Sequence, residues 1–487
     1  MQNKEVRNQE PKILWNHFAD INAIPRASKK EDQIVEFMVD FGKKLGLETI
    51  VDPIGNVIMR KPASKGMENR KIVVLQSHLD MVHQKNADTD FNFDTEGIKM
   101  FVEGDWVKAQ GTTLGADNGL GVAAIMGVLS SDDIIHPPLE ALFTIDEETG
   151  MTGAQGLQAG YLNGEILLNL DTEEDDEIDI GCAGGIDITA TKNYTEIKNN
   201  DGLSALRFVI KGLQGGHSGM DIDKGLGNAN KLMNSFLKRV VNIIGLSAVD
   251  GGGLRNAIPR EGEAIFLCKP ENMDALQKEF QRYASEIKNT YQEIEPDLYC
   301  DLKVVKGDYS MMDPKAQTEL VLALDDAING VYKMSEEMPD LVEASNNIAR
   351  VLVHQGAIKI SCLTRSSVES SKEEVANSLK TVFEKQGFDV AFSGSYPGWS
   401  PNRDSAILKV LTGVYEQVFN SQPAVVACHA GLECGILGTN YPEMDMISFG
   451  PTIKGAHSPD ERASISSSLR FWHFLQEILK NIPLKND

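Results

Sequence analysis

Ile72-Val-Val-Leu-Gln-Ser-His-Leu-Asp80 is the stretch that decides the fold. A short apolar run closing on His-x-Asp suits a strand buried in a sheet, with His78 at the sheet edge and Asp80 two residues on. Neutral imidazole is a common zinc ligand, and a carboxylate on its other nitrogen fixes the tautomer and raises ligand basicity. Taken singly the triplet is weak, because a His at a strand end is more often an ordinary hydrogen-bonded residue. Its weight comes from recurrence: an acid or His follows an apolar run or a turn at four further places.

Working outward, residues 15–23 and 31–45 carry helical apolar spacing, and short apolar runs follow at 57–59, 72–75, 139–145 and 166–170. A helix over 119–129 falls between two of these runs, which gives an α/β pattern with a largely buried sheet. After Cys182-Ala-Gly-Gly185 the character changes. Alternating strands at 206–210, 264–267, 302–305 and 358–362 interleave with amphipathic helices near 224–243, 272–294, 315–329 and 372–386. The strand-helix-strand rhythm runs twice without a residue-level repeat, so residues 185–397 read as an inserted lid of two similar halves. Ser395-Tyr-Pro-Gly-Trp-Ser-Pro401 has the Pro/Gly composition of a hinge. The first pattern then resumes with a helix near 404–420, a strand at 444–449 and a closing helix near 464–481. The expected organisation is a discontinuous α/β catalytic domain (1–184 and 398–487) interrupted by an α+β lid (185–397). A linear three-domain chain is the alternative.

Composition narrows the function classes. The chain has 487 residues, 41% apolar and 24% charged, as expected for a globular protein of two or three domains. A net charge of −24 argues against nucleic acid or an anionic membrane as partner. Six Cys without a CxxC pair read as reduced, mostly buried thiols in a cytoplasm. The N-terminal MQNKEVRNQEPK has no apolar h-region, so a signal peptide is not expected. The longest apolar stretch, Gly119 to Leu129, is too short to span a bilayer and suits a buried helix.

The recurrent positions are these. His78 follows the first run, and Asp117 lies in the turn Gly115-Ala-Asp-Asn-Gly119. Glu147 and Glu148 follow Leu142-Phe-Thr-Ile145. Asp171 follows Ile166-Leu-Leu-Asn-Leu170, and His457 lies in Gly455-Ala-His-Ser-Pro459. In open α/β sheets ligands gather at the carboxyl ends of strands, so residues far apart in sequence can converge there. Three carboxylates (Asp117, Glu148, Asp171) and two neutral imidazoles leave one positive charge against two zinc ions, which a hydroxide neutralises. Five ligands hold two metals if one carboxylate bridges them, with the ions roughly 3.5–4 Å apart. Asp117, on a glycine-flanked turn, suits the bridge. Glu147, beside a ligand but not needed as one, is left as general base.

The chain has no HExxH, GxSxG or GxxxxGK[ST], so single-zinc protease, α/β-hydrolase and P-loop readings lack their carriers. The run Glu173-Glu-Asp-Asp-Glu177, with Asp179, reads as a solvated edge. His17, His83, His136, His354 and His473 read as ordinary histidines.

Ser77-His-Leu-Asp-Met81, Gly115-Ala-Asp-Asn-Gly119, Asp146-Glu-Glu-Thr-Gly150, Leu170-Asp171 and Gly455-Ala-His-Ser-Pro459 resemble the metal-site blocks of the two-zinc aminoacylase/carboxypeptidase/dipeptidase superfamily. The resemblance runs essentially end to end and is strongest to its dipeptidases. It implies a mixed sheet flanked by helices, an inserted lid, and two Zn2+, with Co2+ or Mn2+ as substitutes. His78 and Asp171 would hold one metal, Glu148 and His457 the other, and Asp117 would bridge. Asp80 would orient His78, and Glu147 would be the acid/base. In the lid, Gly215-Gly-His-Ser-Gly219 implies that His217 polarises the scissile carbonyl, across a dimer in many relatives. Asn256 and Arg365 match positions that bind the substrate carboxylate, and His429 matches a substrate loop. Because this lid is larger than in the shorter carboxypeptidases, homodimer and monomer both stay open, as does whether His217 acts within one subunit. The implied activity is hydrolysis of dipeptides, Xaa-His among them. The same metal site would serve a deacylase of N-acyl amino acids, and a non-catalytic binding protein that kept the fold is the remaining rival.

Overall fold

The computed structural model describes residues 3–198, 202–336 and 338–485. They form two units: one built from residues up to 182 with 399–427 and the segment from 432 on, the other from 183–398 with 428–431. The second boundary differs from the expectation in one respect. Residues 428–431, read as part of the resumed first pattern, join the second unit, where the Ala183 amide donates to the carbonyls of Cys428 (3.1 Å) and Ala430 (2.9 Å).

The first unit is organised by an eight-stranded mixed sheet. At its centre, Val73–His78 runs parallel to Leu139–Thr144 on one side and to Ile166–Asn169 on the other, and Asp445–Ser448 runs parallel to Ile166–Asn169. Every residue of Val73–His78, Leu139–Thr144 and Ile166–Asn169 is buried, as strands covered on both faces should be. The apolar run near 119–129 is part of a helix, Ala116–Ser130, buried along almost its whole length. A helix that is apolar all round must be surrounded, and this one packs against the flanking helix Lys12–Ile21, which turns Leu14, Trp15, Phe18 and Ile21 inward. All four central parallel strands therefore end at the same edge of the sheet. The loops leaving that edge carry the five motif blocks.

The second unit is a nine-stranded antiparallel sheet with helices, and its internal repeat is topological. One half consists of Ser204–Lys211, helix Ala229–Val240, Ile244–Gly252, Gly262–Cys268, helix Met273–Tyr291 and Tyr299–Val305. The other consists of Gly184–Asn193, helix Pro314–Asp326, Val342–His354, Ala357–Ser366, helix Glu369–Lys385 and Asp389–Tyr396. Each half reads strand-helix-strand-strand-helix-strand, with its strands in the spatial order fourth, first, third, second. The first half is nested inside the second, after its first strand. Their second strands pair antiparallel from Val249↔Val353 to Gly252↔Arg350, which fuses two sheets into one. Phe208, Phe236, Phe280 and Tyr283 pack as an aromatic cluster in the core of the nested half. Among the described residues no helix is long and apolar enough to cross a membrane.

Candidate metal centre

His78 ends its strand opposite Thr144 and is 1% exposed. Its Nδ1 lies 3.3 Å from Asp80 Oδ1, while its Nε2 lies 3.0 Å from Asp117 Oδ1 and 3.5 Å from Asp171 Oδ1. Asp80 is fully buried and has its own supports. It accepts the backbone amides of Glu147 (3.0 Å) and Glu148 (3.2 Å) and the Ser28 hydroxyl (2.8 Å), so the strand end and the Glu147–Gly150 turn are tied together. Asp171 receives the side-chain amide of Asn118, which also donates to the Leu170 carbonyl at 2.8 Å.

Asp117 lies at the centre of this geometry. One carboxylate oxygen faces His78 Nε2 and the other faces His457 Nε2 at 3.1 Å; His457 Nε2 in turn lies 2.9 Å from Glu148 Oε2. Two donor groups result, His78–Asp117–Asp171 and Asp117–Glu148–His457, each with ligand atoms within 4.8 Å of one another and Asp117 common to both. A third group, His78–Glu147–Glu148, brings Glu147 to the same place.

The electrostatics fit cation binding. Burial would lower the His78 pKa, yet the charge of Asp171 and hydrogen bonds to Asp117, Asp171 and Asp80 raise it well above the usual value. His457 rises to about 12 because Asp117 and Glu148 overcome its desolvation. Burial, reinforced by Asp117, pushes Glu148 up to about 7, and burial likewise lifts Glu147 and Asp171. Glu148 Oε1 is buried and makes no hydrogen bond. Carboxylates so crowded, balanced by protons on two imidazoles and by the buried Arg26 guanidinium, form a donor set suited to divalent cations.

In the second unit, His217, Arg365, Asn256 and His429 also come together. Arg365 is 5% exposed and not a surface charge; its Nη2 lies 3.3 Å from His217 Nε2, its Nη1 donates to the Tyr396 hydroxyl (3.1 Å), and its Nε lies 3.5 Å from Ser218 Oγ. The amides of Gly219 (3.3 Å) and Met220 (3.1 Å) donate to His217 Nδ1, so the ring proton of a neutral His217 sits on Nε2. Asn256 is exposed, with its carbonyl accepting the Ser218 amide at 2.8 Å. His429 is buried against Ser345 Oγ (2.8 Å from Nε2), and burial with the charges of Arg365 and His217 drops its pKa to about 3.

Three readings are corrected or extended. The run 173–177 with Asp179 is not a solvated edge: only Asp176 in it is exposed, Asp179 is buried and accepts from Thr172 (2.8 Å), and burial lifts Glu173 to about 8. Three of the other histidines have ordinary partners: Ser130 for His17, the Phe93 ring for His83 and the Pro137 carbonyl for His136. Sequence reading missed Arg26, Ser28, Tyr396, Glu433 and Glu461. Of these only Glu461 lies near a motif block, two residues beyond Gly455–Pro459, and nothing there marked what it would hold. Glu433 is fully buried, accepts from Gln76 (2.5 Å) and Thr144 (2.6 Å), and is pushed to about 7 by burial.

A profile of Peptidase family M20/M25/M40 matches residues 74–481. The chain is 42% identical over 483 residues to the cytosol non-specific dipeptidase of Escherichia coli (strain K12), covering 99% of this chain and 100% of that one. Its fold superimposes with a TM-score of 0.88 on aminoacylhistidine dipeptidase from Vibrio alginolyticus, at 43% identity and 99% coverage of both chains. Human carnosine dipeptidase 1, at 13% identity, shares the fold with a TM-score of 0.51 over 96% of each chain. With the motif blocks, the mixed sheet and the nested second unit all in place, the chain belongs to Peptidase family M20/M25/M40.

Proposed function

We propose that this chain is a cytoplasmic metal-dependent dipeptidase that hydrolyses Xaa-His and other dipeptides. The observation that carries the reading is the Asp117 carboxylate, which presents one oxygen to each of two imidazole-carboxylate groups. The names of the Escherichia coli and Vibrio relatives support the substrate class, and the first of them supports the cytosol. His78 and Asp171 would hold one zinc, Glu148 and His457 the other, with Asp117 between them. When bound, such metals supply Lewis acidity and lower the pKa of a water toward neutrality.

The remaining chemistry belongs to side chains. Glu147 takes the proton of the attacking water and returns it to the leaving amine; a buried carboxyl with a raised pKa suits an acid/base working near neutral pH. Asp80 holds His78 in one orientation. His217 Nε2–H and the Arg365 guanidinium, 3.3 Å apart, are both donors that one acceptor can bring together. The carbonyl oxygen of the scissile bond and the free α-carboxylate of a dipeptide supply such acceptors, with Asn256 and His429 completing the carboxylate end. His217 comes from the nested half of the second unit and Arg365 from the other half of the same unit, so the two halves of that unit together supply the donor pair.

The test is a panel of Xaa-His, hydrophobic dipeptides, tripeptides and N-acetyl amino acids, run with and without chelator. Dipeptides should be cleaved, with activity lost to chelator and restored by Zn2+, Co2+ or Mn2+. Preference for the acetylated set would replace the reading with a deacylase.

A further inference from the structure

The loop that carries Asp117 is held from both of its polar sides. Glu461 is 2% exposed, and its carboxylate accepts four consecutive backbone amides: Leu114 (2.7 Å) and Gly115 (2.9 Å) on Oε2, Ala116 (2.7 Å) and Asp117 (3.3 Å) on Oε1. The Arg26 guanidinium, also 2% exposed, takes the Gly115 carbonyl from the other side. The same guanidinium donates to the carbonyls of Leu79 (3.0 Å) and Asp80 (2.9 Å), at the end of the His78 strand. A Cβ at Gly115 or Gly119 would collide with the Arg26 guanidinium, which gives both glycines flanking Asp117 a physical reason. Gly115 also has φ 70°, where a side chain is strained.

We propose that Glu461 and Arg26 are positioning residues that set where Asp117 stands between His78 and His457. Glu461 follows His457 by four residues on one loop, so its grip on residues 114–117 ties the His457 loop to the Asp117 loop. Arg26 ties the Asp117 loop to the His78 strand end. Together they join three segments that are far apart in sequence, each bearing one ligand of the proposed centre. The inference rests on the two-metal reading above.

The test is Co2+ titration of metal-free protein, followed by visible absorption, for wild type, Glu461→Gln and Glu461→Asp. An amide turns its NH2 toward backbone donors and keeps one acceptor oxygen, so Glu461→Gln loses about half of the grip. Partners behind metal ligands typically contribute about 10–100-fold in metal affinity or activity. Glu461→Gln should therefore weaken Co2+ binding by about that factor and alter the cobalt spectrum. At saturating metal its kcat should fall while KM for a dipeptide holds. Glu461→Asp, which keeps the charge on a shorter arm, should lie between Gln and wild type, and it carries the test if the Gln variant does not fold. Leu475→Ala, a cavity in the closing helix, serves as a control for general destabilisation and should keep wild-type affinity and spectrum. Wild-type cobalt affinity and spectrum in Glu461→Gln, or equal losses in Leu475→Ala, would overturn the proposal. A wild-type protein that binds no Co2+ would overturn the metal reading itself.

Discussion

His78 and His457 face the two oxygens of one carboxylate, yet they are held in different ways. His78 is 1% exposed, ends a buried strand, and has Asp80 behind its second nitrogen. The His457 side chain is 55% exposed on a loop, with a left-handed backbone at φ 63°. One imidazole is part of the sheet; the other is presented by a loop that is anchored four residues further on by Glu461. The contrast teaches that the two halves of the centre should not be equivalent, since rigidity comes with the strand and exchange comes with the loop.

The largest effect should come from Glu147, which is grouped with His78 and with Glu148, the carboxylate facing His457. Glu147→Ala should lower kcat by at least about 10²-fold, the usual scale for a positioned acid/base, while metal content by elemental analysis stays at the wild-type level. Activity near wild type would remove Glu147 from that role. Next, His78→Ala should destabilise the metal-free protein by roughly 3–5 kcal/mol in denaturant, because it strands buried carboxylates without their partner. His457→Ala should cost less in the same assay, because the His457 ring is itself half exposed, although its partners Asp117 and Glu148 are buried. Equal costs would break the comparison.

Acidity sharpens it further. Both imidazoles stand above their ordinary range in the metal-free protein, so a metal must displace protons to bind. Metal uptake should release protons, and apparent affinity should rise with pH; calorimetry in buffers of different ionisation enthalpy reads this directly. A separate acid-side effect is expected at His429. Its folded pKa of about 3 lies below the unfolded value, so the unfolded chain takes up the proton first. Stability should therefore be lost at this residue as pH falls from about 6.5 toward about 3. His429→Gln should lessen the acid-side loss across that window in a urea titration series.

Much of the candidate site was legible because each proposed ligand follows a local signal, either an apolar run that must be a strand or a glycine turn. The parallel topology then does the gathering, since neighbouring strands ending at one edge bring residues 78, 117, 148, 171 and 457 together. Arg26 and Glu461 act through backbone amides and carbonyls, and nothing in their local sequence reports which loop they will meet. Tyr396 was hidden for the same reason, inside a stretch read as a hinge. The strand Val342–His354 was missed because its stretch buried on both faces carries two adjacent polar residues, Asn346 and Asn347. These side chains are satisfied by distant carbonyls, Ile328 for the first and Arg255 and Ala257 for the second. The doubled second unit was suggested by rhythm alone. Its proof is the repeated strand order, which no sequence period exposes.

The central claim is that Asp117 stands between two metal ions. Anomalous diffraction at the zinc edge from zinc-loaded crystals tests it most directly. Two peaks are expected, roughly 3.5–4 Å apart, one on each side of the Asp117 carboxylate. A single peak, or a pair that does not share Asp117, would contradict the account.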